Sequence, residues 1–167
     1  MARWWYGYIG GTGAVGLLVL RLVAGAAFIL HGWPKIYQNG QFYQNGQLVM
    51  TTWMNDVFKE KAPPPYLQGA AAVAEFGGGI ALIIGFLTPL AALGIAAVMG
   101  TAIAMVNIPH GDPFVAPSPG QSSCELAAVY LAAAIALLLV GPGTLSLDYC
   151  LFGRRRVDVG PPTPIRM

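Results

Sequence analysis

Residues 16–36 read GLLVLRLVAGAAFILHGWPKI. About 20 apolar residues, rising about 1.5 Å each, suffice to cross the ~30 Å hydrocarbon core of a bilayer. Yet this run carries Arg21, His31 and Lys35. At about 100° per residue, His31 lies about 80° and Lys35 about 40° from Arg21, so all three share one helical face. An ionisable group at membrane depth requires a partner or water, not lipid. Other helices must therefore cover that face.

The rest of the chain has the composition to do so. Of 167 residues, 56% are hydrophobic and only 10% charged, against about 25% charged in a soluble domain. With a mean hydropathy of +0.60, the class is an integral membrane protein, and the length fits a single domain. No basic patch interleaved with aromatics points to nucleic acid. Cys124 and Cys150 flank the last hydrophobic segment; if that segment spans, they cannot pair within one chain. There is no CxxC, zinc spacing or haem-attachment motif, so neither thiol exchange nor a metal centre is expected.

Four spans are expected, at about 16–36, 66–86, 89–108 and 124–140. Arg21 argues against a cleaved leader, and Trp4, Trp5, Tyr6 and Tyr8 suit an interfacial anchor before the first span. The second span holds Ala71, Ala72, Glu75, Gly78 and Gly79 in one small-residue stripe, which lets helix backbones approach closely and turns Glu75 toward protein. Thr88-Pro89 reads as an N-cap followed by a first-turn proline, making spans two and three antiparallel neighbours. The third span has its own stripe, Ala97, Gly100 and Ala104. The fourth opens with Ser122-Ser123-Cys124-Glu125, a capping-box pattern with Ser122 as N-cap and Glu125 at the third helical position, and Ala128, Ala132 and Ala136 follow on the Glu125 face.

Between spans one and two lies an insertion, residues 37–65. It begins with the duplication YQNGQFYQNGQ, whose Asn39-Gly40 and Asn45-Gly46 pairs are turn signals. Residues 47–61 have apolar pairs at helical spacing and read as an amphipathic surface helix, stopped by Pro63–Pro65. The fold class is thus all-α, a membrane four-helix bundle with a short amphipathic outer helix. Arg3 before the first span and Arg154–Arg156 and Arg166 in the tail (141–167) place both termini in the cytoplasm by the positive-inside rule; Lys59 and Lys61 oppose this with less weight.

That topology gathers His31, Lys35, Glu75, His110 and Glu125 toward the outer end, and Arg21 with Asp148 toward the inner end. Each residue has a plain structural reading as well. Arg21–Asp148 is expected as an ion pair clamping the bundle, Lys35 can snorkel to the interface, Glu125 can serve as a cap, and His110 can sit in a loop. His31 and Glu75, deepest in apolar sequence, form a proton-accepting arrangement. Such a pocket suits a quinone or quinol, whose oxygens need a proton donor or acceptor.

Three segments resemble the DoxX family of small four-helix bacterial membrane proteins: LLVLRLVAGAAFILHGWPKI, AAVAEFGGGIALIIGFLTPLAALGIAAVMGTAIA and ELAAVYLAAAIALLLVGPGTLSLD. The resemblance rests on Arg then His-Gly-x-x-Lys in the first helix, Glu-x-x-Gly-Gly in the second, and the closing Glu…Gly-Pro-Gly…Ser-Leu-Asp. It marks Arg21, His31, Lys35, Glu75, His110, Glu125 and Asp148 as the family's polar positions. It implies a bacterial inner-membrane location and association with quinone-linked redox systems, since the family takes its name from a subunit of such a system. Relatives are also associated with thiol and oxidative-stress proteins or membrane-protein maturation. The expectation is therefore a partner-dependent subunit of a quinone-linked oxidoreductase, with His31 and Glu75 handling protons and Lys35, His110 and Glu125 binding ligand. No cofactor motif lies in the chain itself; a bound quinone is the expected small molecule. Membrane lipid and other membrane or redox subunits, or a second copy, are the expected partners. A non-catalytic scaffold or assembly factor is the alternative, and a small-solute transporter comes third because no helix looks broken.

Overall fold

The computed structural model of the chain describes residues 8–59 and 62–153. Trp4, Trp5, Tyr6, Arg3, Glu60, Lys61 and the basic tail from Arg154 lie outside that range. Four long helices dominate: α1 (Gly11–Ile36), α3 (Pro65–Ile84), α4 (Thr88–Ala102) and α6 (Glu125–Val140). Three stretches are long and apolar enough to cross a bilayer: Gly11–Ile36, Pro65–Ile84 and Thr88–His110. α6 is apolar but has only 16 residues. The protein is an all-α membrane protein; among the described residues, one two-stranded hairpin lies in the insertion.

The bundle runs α1 against α3, α3 against α4 and α4 against α6, while α6 touches α1 only lightly. The α1–α3 seam is closed by glycines. A Cβ at Gly25 would stand 2.7 Å from the Gly79 carbonyl, one at Gly79 2.7 Å from the Gly25 carbonyl, and one at Gly32 2.6 Å from the Phe76 nitrogen. No side chain fits there, so the second-span stripe is a close-packing seam. Ala72, Glu75, Gly78 and Gly79 are all buried. Across the bundle, Ala24, Phe28, Leu82, Ala92, Ile95, Ala134 and Leu137 form the core. The other two stripes are not the packing faces. Ala97 and Ala104 are exposed and Gly100 has open space beside it; Ala92 and Ile95 pack instead. In α6 the buried positions are Ala134 and Leu137, not Ala128, Ala132 and Ala136.

Helix ends also differ from the sequence reading. Pro64 caps α3 and Pro65 opens it, and Gly85, at φ 70°, ends it in the left-handed conformation. Thr88 is the first residue of α4 rather than its cap. The capping acceptor comes from far along the chain: the Asp148 carboxylate accepts the Leu87 and Thr88 N–H groups at 2.7 and 2.9 Å. The expected capping box before α6 does not form either. Cys124 is the N-cap position and Glu125 the first helical residue, while the Ser122 hydroxyl donates to Asp112. α4 continues through a π-helical turn, Ile103–Asn107, into the single turn α5 (Ile108–His110).

The insertion is a hairpin followed by short turns. Strands β1 (Tyr43–Gln44) and β2 (Gln47–Leu48) pair antiparallel, and Gln38 and Gln41 form a bridge of their own. Asn39, Gly40, Asn45 and Gly46 all have positive φ, between 50° and 79°, the type I′ geometry that Asn-Gly pairs favour. The single helix expected over 47–61 is replaced by a 3-10 turn, Val49–Thr51, and the short α2 (Asn55–Phe58). Gln47 and Leu48 are taken by the hairpin, and the Thr51 and Thr52 hydroxyls bond back to the Leu48 carbonyl at 2.8 and 3.5 Å, a local alternative to helix continuation.

A candidate ligand cavity at the lysine end of the bundle

Lys35 comes from the last turn of α1, about one turn beyond Gly32, whose backbone packs against Phe76 of α3. Glu75 comes from the glycine-flanked face of α3 and is only 1% exposed. The Lys35 ammonium meets both carboxylate oxygens at 2.5 Å. Burial without that cation would leave a costly bare carboxylate. Trp53, from the insertion, lies over the same ammonium, 4.3 Å from Nζ to the ring centroid, a cation–π contact.

Gln68 holds Trp53 in place. Its backbone carbonyl accepts the Trp53 indole N–H at 3.2 Å, its Oε1 accepts the Met54 N–H at 2.9 Å, and its Nε2 donates to Asn55 Oδ1 and the Pro63 carbonyl, each at 2.8 Å. Gln68 is buried two helical turns before Glu75 on the same face of α3.

Beside the ion pair is a cavity of about 150 Å³. All four long helices contribute to it: His31 and Lys35 from α1, Glu75 from α3, Met99 from α4, and Leu126 and Tyr130 from α6 among its walls. The expected His31–Glu75 pair is not formed, because Lys35 occupies both Glu75 oxygens. His31 is exposed and stands edge-on to Tyr130, with ring centroids 6.2 Å apart. Neither the His31 imidazole nor the Tyr130 hydroxyl has a hydrogen-bond partner among the described residues. The rim residues His31 and Leu126 are exposed, on the side where α1 and α6 scarcely touch.

His110 and Glu125 do not reach this cavity. Both are exposed. His110 instead acts through space on Asp112, whose carboxyl is held below its ordinary value chiefly by the Ser122 hydrogen bond, then by Asn107, with His110 adding to them. No group of three or more His, Cys, Asp or Glu side chains able to hold a metal is found among the described residues.

At the opposite end Arg21 is fully buried and donates to the Leu145 carbonyl, while its Nε and Nη1 have no hydrogen-bond partner. The expected contact pair with Asp148 is absent: Asp148 acts on Arg21 through space while its oxygens cap α4. The Asp148 N–H also reaches the Gly85 carbonyl at 2.8 Å, and Tyr8 donates to the Asp148 carbonyl at 3.2 Å. This network closes the base of the bundle.

Comparison with known proteins agrees with this architecture. The DoxX family model matches residues 16–108, more than half of the chain. The chain belongs to the DoxX family. The DoxX match takes in His31, Lys35, Trp53, Gln68 and Glu75, and ends before Tyr130 and Asp148. Over 81 residues the chain is 35% identical to the inner membrane protein YqjF of Escherichia coli (strain K12), covering 47% of this chain and 52% of the relative. The chain thus spans about half the length of that curated relative. No solved structure matches.

Trp53, Gln68 and Tyr130 were missed by sequence reasoning. Gln68 had a signal, standing seven residues before Glu75 on the stripe that faces protein. Tyr130 stands four residues before Ala134 on the buried face of α6. For Trp53 there was none, since its contact depends on how the insertion folds back.

Proposed function

We propose that this DoxX-family protein lies in a bacterial inner membrane and binds the ring headgroup of a quinone or quinol, as a subunit that works with a redox partner. The carrying observation is the pairing of two unpartnered groups, the His31 imidazole and the Tyr130 hydroxyl, on the wall of a four-helix cavity above the Lys35–Glu75 pair. An apolar cavity of about 150 Å³ holds one benzene-sized ring, and an opening between α1 and α6 suits a ligand arriving through lipid. Tyr130 would donate to one ring oxygen. His31 would accept the proton of a quinol hydroxyl as the partner removes electrons. The positive-inside distribution of Arg3, Arg154–Arg156 and Arg166 supports placing this cavity in the outer half of the membrane, with both termini cytoplasmic.

The test is equilibrium binding of a short-chain benzoquinone to the purified protein in nanodiscs. Wild type should bind, and Tyr130→Phe and His31→Gln should each weaken binding by up to about tenfold, the worth of one hydrogen bond. No binding, or binding indifferent to both substitutions, would refute the reading. A second reading, a membrane scaffold or assembly factor, is favoured by one observation: Lys35 and Glu75 are engaged with each other across the α1–α3 seam. Native mass spectrometry from the host membrane separates the two. A quinone or redox subunit supports the first, and an immature membrane protein the second.

A further inference from the structure

We infer that the hairpin at residues 37–48 is a membrane-interface anchor, its outward face lying among lipid headgroups and upper acyl chains beside α1 and α3. The hairpin folds back on the last turn of α1. The Phe42 ring lies 4.7 Å from that of Tyr37 and 6.5 Å from that of Trp33, and Trp33 in turn lies 5.7 Å from Phe76 of α3. Trp33 is itself exposed, on helices whose outer surface faces lipid. The hairpin therefore continues an apolar surface that the bilayer already covers.

The two faces of the hairpin carry the argument further. Side chains alternate along a strand, and residues directly opposite share a face. Phe42 stands opposite Val49, whose N–H bonds to the Phe42 carbonyl at 2.9 Å; Val49 is buried, while Phe42 packs on Tyr37 and leaves half of its surface exposed. The other face carries the cross-strand pair Tyr43 and Leu48, 60% and 37% exposed. A hairpin with one face in water normally places polar side chains there. Here the outward pair is aromatic and aliphatic, and residues 36–55 contain no charged residue at all. Its backbone is suited to the headgroup zone as well, because the paired strands and the Gln38–Gln41 bridge satisfy the inward-facing donors and acceptors, and the outer edges meet the water and polar headgroups present there. Tyrosine at the headgroup level, with glutamine and asparagine at the turns, has the amphipathic chemistry of that zone.

The experiment uses the full chain in nanodiscs of a zwitterionic and anionic lipid mixture, with Cys124→Ser and Cys150→Ser as background. A nitroxide is attached at Tyr43→Cys or Leu48→Cys, both at exposed positions, and its collisions with oxygen and with a water-soluble nickel chelate are compared. Leu30→Cys, on the exposed surface of α1, is the lipid reference and Gln121→Cys, in the polar loop before α6, the water reference. The inference expects an oxygen-to-nickel ratio at 43 and 48 several-fold above that at 121 and approaching that at 30. A ratio equal to that at 121 would put the hairpin in water and overturn it. Protection from both reagents would mean a protein surface covers the face, and would overturn it equally.

Discussion

Replacing Lys35 by methionine tests the centre of the site most directly. The substitution keeps the length and apolar stem of the side chain and removes the ammonium. Glu75, 1% exposed, would then keep a carboxylate whose two oxygens each lose a partner at 2.5 Å, and Trp53 would lose the cation beneath its ring. Breaking one partner of a buried ion pair costs about 3–5 kcal/mol, and a desolvated cation–π contact adds about 1–2 kcal/mol. That is a large part of the 5–15 kcal/mol of a typical domain. The pair itself need not be strongly stabilising, because desolvating both charges offsets most of their attraction. The double variant Lys35→Met/Glu75→Leu should therefore lie within about 2 kcal/mol of wild type, although Glu75→Leu alone falls by about 3–5 kcal/mol and Lys35→Met alone by about 4–7 kcal/mol. Unfolding by sodium dodecyl sulfate in mixed micelles, followed by far-ultraviolet circular dichroism, measures all four proteins. Single losses below about 1 kcal/mol, or losses that simply add in the double variant, would refute the reasoning.

Three further outcomes follow from the packing and the loops. Gly32→Ala places a Cβ 2.6 Å from the Phe76 nitrogen, so α1 and α3 must separate; a loss of about 1–3 kcal/mol is expected in the same titration, whereas Gly16→Ala, with open space beside it, should be neutral or stabilising. Asp148→Ala removes the acceptor for two N–H groups at the start of α4 and the charge nearest Arg21; about 2–4 kcal/mol should be lost, with faster backbone hydrogen exchange at residues 85–90. Asp112 has its folded-state pKa below the ordinary 3.8, so its contribution to loop order is present above that value and fades as pH falls through the lowered one. Removing its leading cause with Ser122→Ala should move the loss of hydrogen-exchange protection in residues 107–124 to higher pH, and an unchanged profile would count against the assignment.

The parts of this fold written in periodicity were legible from sequence. Arg21, His31 and Lys35 on one face required neighbours, and α3 brings the buried carboxylate that one of them needs. The paired Asn-Gly turns could be read because only their chemistry favours positive φ at both central residues. What could not be read depended on competition between partners at a distance. His31 and Lys35 are both candidates for Glu75, and only the helix crossing, set by Gly25, Gly32 and Gly79, gives the carboxylate to Lys35. Thr88 and Ser122 looked like caps because their local sequence allows it. Asp148 and Asp112 outcompete those local roles, being carboxylates that loop closure delivers to the same groups. The helix expected over 47–61 failed where a hairpin claimed its first residues, and with it went any sight of Trp53 over the site.

The π-helical turn at Ile103–Asn107 changes how the helical phase beyond α4 must be counted. With 100° per residue throughout, His110 would fall about 20° from Met99, on the same face of the helix about 16 Å further along. A π turn of five residues advances by about 80° per residue, leaving everything beyond it roughly a quarter turn behind. Asn107 is thereby delivered to Asp112, 2.8 Å away, and His110 to the surface. One residue's worth of extra backbone thus decides which face the last turn presents and that Asn107 reaches the loop. Deleting a single residue within 103–107 would restore the α-helical phase and turn residues 108–112 by about a quarter turn, so the register here is a coordinate along which the loop can be re-aimed without altering any side chain that lines the cavity.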